Sequence, residues 1–445
     1  MIKINVDFNK KMGKIKPVHG VGQPPLTGVS TKYFSYLSEA NIPYSRLHDV
    51  GGWFGKNMFV DIPNVFRDFD ADENDPASYD FAFTDILVEG LIRHNCMPIY
   101  RLGVTIENFH NIKAYRIYPP KDFAKWARIC EHIIRHYNEG WADGFYYGIK
   151  YWEIWNEPDN SLDPAKNAMW KGTKQEFFDL YATASTHLKK CFGDKIKVGG
   201  YASCGFYSVC EDSMADPMAF GRSEPIDLDV LKKLCDGYLN YFLDFIEFVK
   251  KEKLPLDFFS YHSYGNVKDV QQMEAYVEKK LRDEGFADTE IQLNEWNPHF
   301  QIETRGSSLA AATATAMLIA LQNTNINLAC FYDARMEASM FCGLFNPYTY
   351  KPVCTYYGFK AFGELYALGE QVECTFDCED LYVAAATDKT KKAVLISNLG
   401  ESRELSIDID SSMKVYLIDS DNMMTETDYA PTHFTIQKNQ VIFIA

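Results

Sequence analysis

Short apolar runs alternate along the chain with longer stretches whose apolar positions recur every three or four residues. This alternation continues to about residue 370. The short runs predict strands over Lys14–Gly20, Tyr44–Val50, Met97–Gly103, Ile149–Trp155, Ile196–Gly200, Leu256–His262, Ile291–Glu295 and Asn327–Asp333. The longer ones predict helices over Thr31–Ala40, Phe81–His94, Asp122–Tyr137, Lys174–Cys191, Leu231–Lys251, Val270–Glu284, Ser307–Asn323 and Tyr356–Leu368. Eight strands, each followed by a helix, predict an α/β chain folded as a (β/α)8 TIM barrel.

Beyond that point the apolar period shortens to two. Glu373–Phe376, Leu381–Thr387, Lys392–Asn398, Ser402–Ile409, Met413–Ile418 and Val441–Ala445 alternate between polar turns and predict a small antiparallel β-sandwich. The leading run Ile2–Phe8 alternates in the same way and is expected in that sheet. The expected division is therefore a catalytic barrel over residues 14–368 and an accessory sandwich built from 1–13 and 369–445.

The ends of the predicted barrel strands are polar where their middles are not. Arg46, His48 and Asp49 end the second, Asn156 and Glu157 the fourth, and His262 and Tyr264 the sixth. Asn294 and Glu295 end the seventh, and Asp333 with Arg335 the eighth. A barrel gathers all these ends on one face, the face where its active sites form.

Composition narrows the picture only a little. Hydrophobic residues make up 47% and aromatics 15%, enough for a large core. Aromatic faces also suit a sugar pocket, but any large core uses them. The net charge of −16 argues against nucleic acid and anionic membrane surfaces as partners. No apolar run reaches membrane-spanning length. The start, MIKINVDFNKKMGKIK, lacks the apolar core of a secretory signal, so a cytoplasmic protein is expected; secretion stays open if a leader was trimmed. Eleven scattered cysteines suit reduced thiols better than a disulfide framework. Cys374 and Cys378 lack a second metal-type pair, and His132 and His136 on one helical pattern lack a third ligand, so the expectation is no metal and no cofactor. The two histidines then read as a solvated helix face. A homo-oligomer is left open.

Two stretches carry the chemistry. YWEIWNEPD and IQLNEWNP both run from an apolar strand into an amide, then a glutamate. Hydrolysis of a glycosidic bond needs two carboxyl groups about the anomeric carbon, one to donate a proton and one to attack. The sequence has no P-loop, dinucleotide glycine fingerprint or HExxH to suggest another barrel chemistry.

With WNEP and NEW at the fourth and seventh strands, the chain resembles the retaining glycoside hydrolases of clan A. PVHGVGQPPL, YSRLHDV and YDFAFTDILVEGLIRHNCMPIYRLG make it look most like glycoside hydrolase family 39, which includes β-xylosidases and α-L-iduronidases. The resemblance implies that Glu157 is the general acid/base and Glu295 the nucleophile. It implies that Asn156 bonds the sugar hydroxyl beside the anomeric carbon. It further implies that His262 and Tyr264 orient the nucleophile and line the sugar site, and that Arg46 and His48 lie near the same pocket. The implied activity is a retaining hydrolase of a β-xyloside-like glycoside, with a carbohydrate as its partner; separately, the long strand-end loops, such as Trp53–Tyr79 and Tyr201–Leu228, suggest a closed pocket and exo-action.

Other residues carry both a functional and a bland reading. Trp53, Phe54, Trp170, Trp296 and Tyr332 are aromatics of the kind that stack on sugars, yet barrels bury such residues too. Glu107, Asn108 and His110 follow the third strand and suit a rim, or an ordinary polar loop. Arg335 suits a uronate carboxylate, or a pairing with Asp333 or Glu337. A catalytically silent carbohydrate-binding barrel, a uronide-specific glycosidase and a metal-assisted barrel enzyme are the rival functions.

Overall fold

The computed structural model describes residues 1–50, 59–107, 115–220, 224–298, 302–337 and 339–445. Trp53, Phe54, Asn108 and His110 lie outside the described residues.

The apolar runs form a closed barrel of parallel strands. In order these are Gly20–Gly22, Tyr44–Leu47, Met97–Leu102, Tyr151–Ile154, Lys197–Ser203, Phe258–Ser263, Glu290–Trp296 and Ile326–Phe331. Closure comes from the first strand, which pairs Val21 with Ser45 on one side and with Phe331 on the other. That strand is shorter and later than the apolar run Lys14–Gly20 suggests. Lys14 instead ends the long accessory strand Ile2–Lys14, and Ile15 donates its N–H to the Gly369 carbonyl. At Gly20 an added Cβ would lie 2.8 Å from the Ala329 carbonyl oxygen, so this edge needs glycine for close approach.

The barrel interior is layered. Ile99, Tyr151, Phe258, Leu328 and Cys330 form an apolar plug toward the strand starts. Above it stands a polar layer of Arg46, Arg101, Glu153, Ser260 and Asn294, all buried. The outward-facing residues of the same strands, such as Trp152, Ile154, Phe259, Leu293 and Phe331, join the helices in the main core. The inward polar layer therefore leads directly to the strand ends.

Side-chain caps fix where two of the helices begin. Thr173 and Glu176 form a reciprocal capping box on Lys174–Phe192, and Asn266 and Asp269 form one on Val267–Asp283. Such a cap contributes about 1 kcal/mol. Helix Ser308–Gln322 is apolar on nearly every side because it has two neighbours. One is the barrel. The other is the accessory sheet, whose Ser397 hydroxyl donates to the Ala312 carbonyl at 2.7 Å.

That accessory sheet has nine strands and curls around its own core of Ile4, Val383, Ile396, Leu405, Ile436 and Ile442. All its pairings are antiparallel except one: Ile2–Lys14 runs parallel to Arg403–Asp408. Two edge strands, Met423–Thr427 and His433–Ile436, add to those the alternation predicts. Met423–Thr427 is exposed along most of its length, so it shows little apolar alternation to read. No helix among the described residues is long and apolar enough to cross a membrane.

Candidate active site

At the end of the seventh strand the pairing slips. Tyr261 faces Leu293, but His262 faces Glu295, so Asn294 is an extra residue in the ladder. Simple alternation would send Asn294 and Glu295 to opposite faces. The bulge turns both inward and sends Trp296 outward. The fourth strand reaches the same result through its backbone. Trp155 and Glu157 adopt left-handed conformations, with φ of 69° and 44°. Trp155 then packs in the outer core, while Asn156 and Glu157 face the barrel mouth.

Arg46, from the second strand, ties these ends together. Its Nε donates to Glu153 Oε2 at 2.7 Å, one terminal nitrogen to Glu295 Oε1 at 2.6 Å, and the other to Asn156 Oδ1 at 2.6 Å. A buried guanidinium is costly unless its donors are matched, and here they meet two carboxylates and an amide. Burial works against its charge, but Glu153 and Glu295 outweigh burial and raise its pKa above the ordinary value. Glu153 in turn accepts from the Ser260 hydroxyl at 2.6 Å and from the Asn294 amide.

The two glutamates meet across His262. Its Nδ1 lies 2.7 Å from Glu157 Oε1 and 3.5 Å from Glu295 Oε2. One oxygen of each carboxylate and the imidazole nitrogen all lie within 4.8 Å of one another. The other contacts differ. Glu295 Oε2 accepts from the Tyr264 hydroxyl at 2.6 Å, and Glu157 Oε2 accepts from the Asn160 amide at 3.0 Å.

Burial pushes the Glu157 carboxyl up to about 7, against the opposing hydrogen bond from Asn160 and the charge of Arg46. Burial raises Glu295 as well, opposed by His262, by Arg46 and by the Tyr264 hydrogen bond. Burial lowers His262 to about 4, so its imidazole is neutral near pH 7. Behind Glu157, burial raises Asp159 to about 7; its carboxyl accepts from the Ser203 hydroxyl at 2.7 Å. The glutamate–histidine trio has metal-ligand spacing, and both Glu295 oxygens accept hydrogen bonds, from Arg46 and from Tyr264.

His48, Tyr332 and Arg335 form a second wall. His48 Nδ1 accepts from Arg101 Nε at 3.2 Å, and its Nε2 lies 3.2 Å from Asp49 Oδ1. Burial and the charges of Arg101 and Arg46 lower the His48 pKa well below the usual value. The Tyr332 hydroxyl donates to Asp49 Oδ2 at 3.2 Å and accepts from the Gln23 amide. Arg335 Nε donates to Asp333 Oδ2 at 2.7 Å, and one terminal nitrogen lies 3.3 Å from the Tyr332 hydroxyl.

Two expectations are corrected here. Trp296 is fully buried, stacked on Phe359 at 6.1 Å and edge-on to Phe331, because the bulge sends it out of the barrel. Of the two readings of Trp170, the buried one holds: it packs edge-on against Trp155 and Phe177 in the core. His136 does not belong to a solvated face: it is 2% exposed, stacks on Phe81 at 3.6 Å and lies 3.0 Å from Asp85. Glu153, Asn160, Arg101 and Asp61 belong to the site or its support and were not singled out. A lone charged residue amid an apolar strand, as in YWEIW or PIYRL, is the signal that marks Glu153 and Arg101.

Comparison with known proteins bears on the family and the fold. A β-xylosidase of Caldicellulosiruptor saccharolyticus is 27% identical over 218 residues, which are 46% of this chain and 41% of that protein, so the match spans less than half of the relative's own length. A solved glucosidase from Croceicoccus marinus aligns over 100% of this chain and 98% of its own, with a TM-score of 0.77 at 20% identity. A family 39 β-xylosidase structure from Caulobacter crescentus aligns over 99% of both chains, with a TM-score of 0.67 at 15% identity. At such identities the structural likeness speaks for the fold. The model of the family described as glycosyl hydrolases family 39 matches residues 2–337, most of the chain, and the protein belongs to that family.

Proposed function

We propose that this protein is a retaining glycoside hydrolase that removes terminal β-xylosyl units, with Glu295 as nucleophile and Glu157 as general acid/base. One observation carries the reading: both carboxylates reach within 4.8 Å of each other around one imidazole. A double displacement asks for carboxyl groups about 5–5.5 Å apart. Arg46 and Tyr264 favour the ionised form of Glu295, which has to attack C1 of the sugar. Glu157 at about 7 holds the proton that the leaving oxygen needs. Once the glycosyl–enzyme forms, the charge on Glu295 is consumed. Glu157, now deprotonated, takes a proton from the water that attacks C1. Asn156, held by Arg46, is assigned to the hydroxyl next to C1. Residues 14–368 are taken as the catalytic unit.

The xyloside assignment rests on the β-xylosidase relative. The uronide reading loses ground because Arg335 already pairs with Asp333. The long segments after the second and fifth strands support a closed pocket and exo-action. A cytoplasmic location fits eleven cysteines that are all free thiols. The test is a panel of aryl glycosides (xyloside, arabinoside, glucoside, galactoside, fucoside and uronide), with the first-formed anomer read by proton NMR. β-Xyloside is expected to turn over fastest and to release β-xylose. Release of the α-anomer would end the double displacement, and a uronide outpacing its uncharged counterpart would end the xyloside assignment.

A further inference from the structure

A second group of reactive side chains lies away from the barrel mouth, between two outer helices. Glu131 is on helix Phe123–Glu139, and His187 and Cys191 stand one turn apart on Lys174–Phe192. One donor atom from each lies within 4.8 Å of the others. We propose that Glu131, His187 and Cys191 form a binding site for a divalent cation of the zinc type, which clamps the two helices together.

The donor set is imidazole, thiolate and carboxylate, the three ligand types zinc takes. Bond lengths of about 2.0–2.3 Å and tetrahedral angles place ligand atoms about 3.3–3.7 Å apart. His187 Nε2 and Cys191 Sγ are 3.7 Å apart, already at that spacing. His187 Nε2 and Glu131 Oε2 are 2.6 Å apart and have to open by a small rotation of a glutamate side chain that is 15% exposed. A hydrogen bond between the helices accounts for Glu131 and His187 alone. It gives no reason for a thiol one turn on, directed at the same ring nitrogen.

Arg135 occupies the other Glu131 oxygen through Nε at 2.8 Å, leaving Oε2 for the cation. Arg135 is itself anchored by Glu139 and lies 5.1 Å over the Phe192 ring, so it is held on the far side. On binding, Cys191 gives its proton to solvent. His187 keeps its single ring proton on Nδ1 and offers the Nε2 lone pair. A dication, a thiolate and a carboxylate sum to zero. His187 is 28% exposed, which gives an ion a way in and leaves a fourth position to water.

Cadmium is the probe, because its thiolate complexes absorb in the near ultraviolet, with zinc as competitor, on the intact protein. The expected result is a saturable band at one equivalent, displaced by zinc and absent in Cys191→Ser. Weakening by at least about tenfold is expected in His187→Gln and Glu131→Gln. Zinc is also expected to raise the Tm of the parent but not of these variants. The proposal is overturned if no saturable band forms, or if the band survives unchanged in Cys191→Ser. Should that variant fail to fold, His187→Gln and Glu131→Gln decide: unchanged cadmium affinity in both overturns it.

Discussion

The fourth and seventh barrel strands both lead into asparagine then glutamate near their ends, yet the two acids are surrounded differently. Glu295 stands between a guanidinium and a phenol, each 2.6 Å away. Glu157 has an amide at 3.0 Å and a neutral imidazole at 2.7 Å. On the proposed reading, a guanidinium in direct contact with Glu295, against an amide and a neutral imidazole in contact with Glu157, splits one residue type into an anion and an acid. The lesson is that the proton goes where the neighbouring strands direct it. Arg46 comes from the second strand and Tyr264 from beyond the sixth; neither belongs to either glutamate motif.

Removing the anionic member breaks the comparison most severely. Glu295→Gln is expected to lower turnover by about 10⁴-fold or more, since no covalent intermediate can form. Near-parent activity in a correctly folded variant, judged by circular dichroism, would cancel the nucleophile assignment. Removing the acid has a smaller and more selective effect. Glu157→Ala is expected to spare glycosylation by aryl glycosides with good leaving groups but slow water attack by about 10²–10⁴-fold. Rapid mixing should then reveal a burst of phenol followed by a slow steady state; a burst-free trace with equal loss on all leaving groups would contradict it.

The smallest effect sharpens the comparison. As the proposed acid, Glu157 must be protonated to donate, so activity is expected to fall as pH rises through about 7. The Asn160 amide favours the carboxylate and holds that pKa down. Asn160→Ala is therefore expected to move the basic limb of the kcat/KM profile to higher pH by a fraction of a unit, leaving the acidic limb in place. A shift to lower pH would mean that Asn160 acts otherwise.

Much of this was legible in the chain itself. Alternation of short and long apolar runs marks seven of the eight strands, because parallel strands buried on both faces read as continuous apolar segments, whereas the run Lys14–Gly20 meets the first strand only at Gly20. Arg46 announces a buried partner, and it finds Glu153, Glu295 and Asn156. What stayed hidden depends on backbone irregularity. A period of two cannot direct Asn294 and Glu295 inward together, nor tell that Trp296 turns out; only the bulge does so, and no residue type encodes it. Asn160 was missed because it follows a turn whose course is set by Glu157 at positive φ. Strand Met423–Thr427 went unread because an edge strand with little burial leaves no pattern.

Helix Ser308–Gln322 has one further consequence. Its alanine-rich surface is wetted nowhere along most of its length, being sandwiched by strands of two different sheets. Neither sheet can be peeled away without presenting the other's share of that greasy rod to water, so the C-terminal segment shields the outer side of a barrel helix, and the two would be expected to melt in one step rather than in sequence.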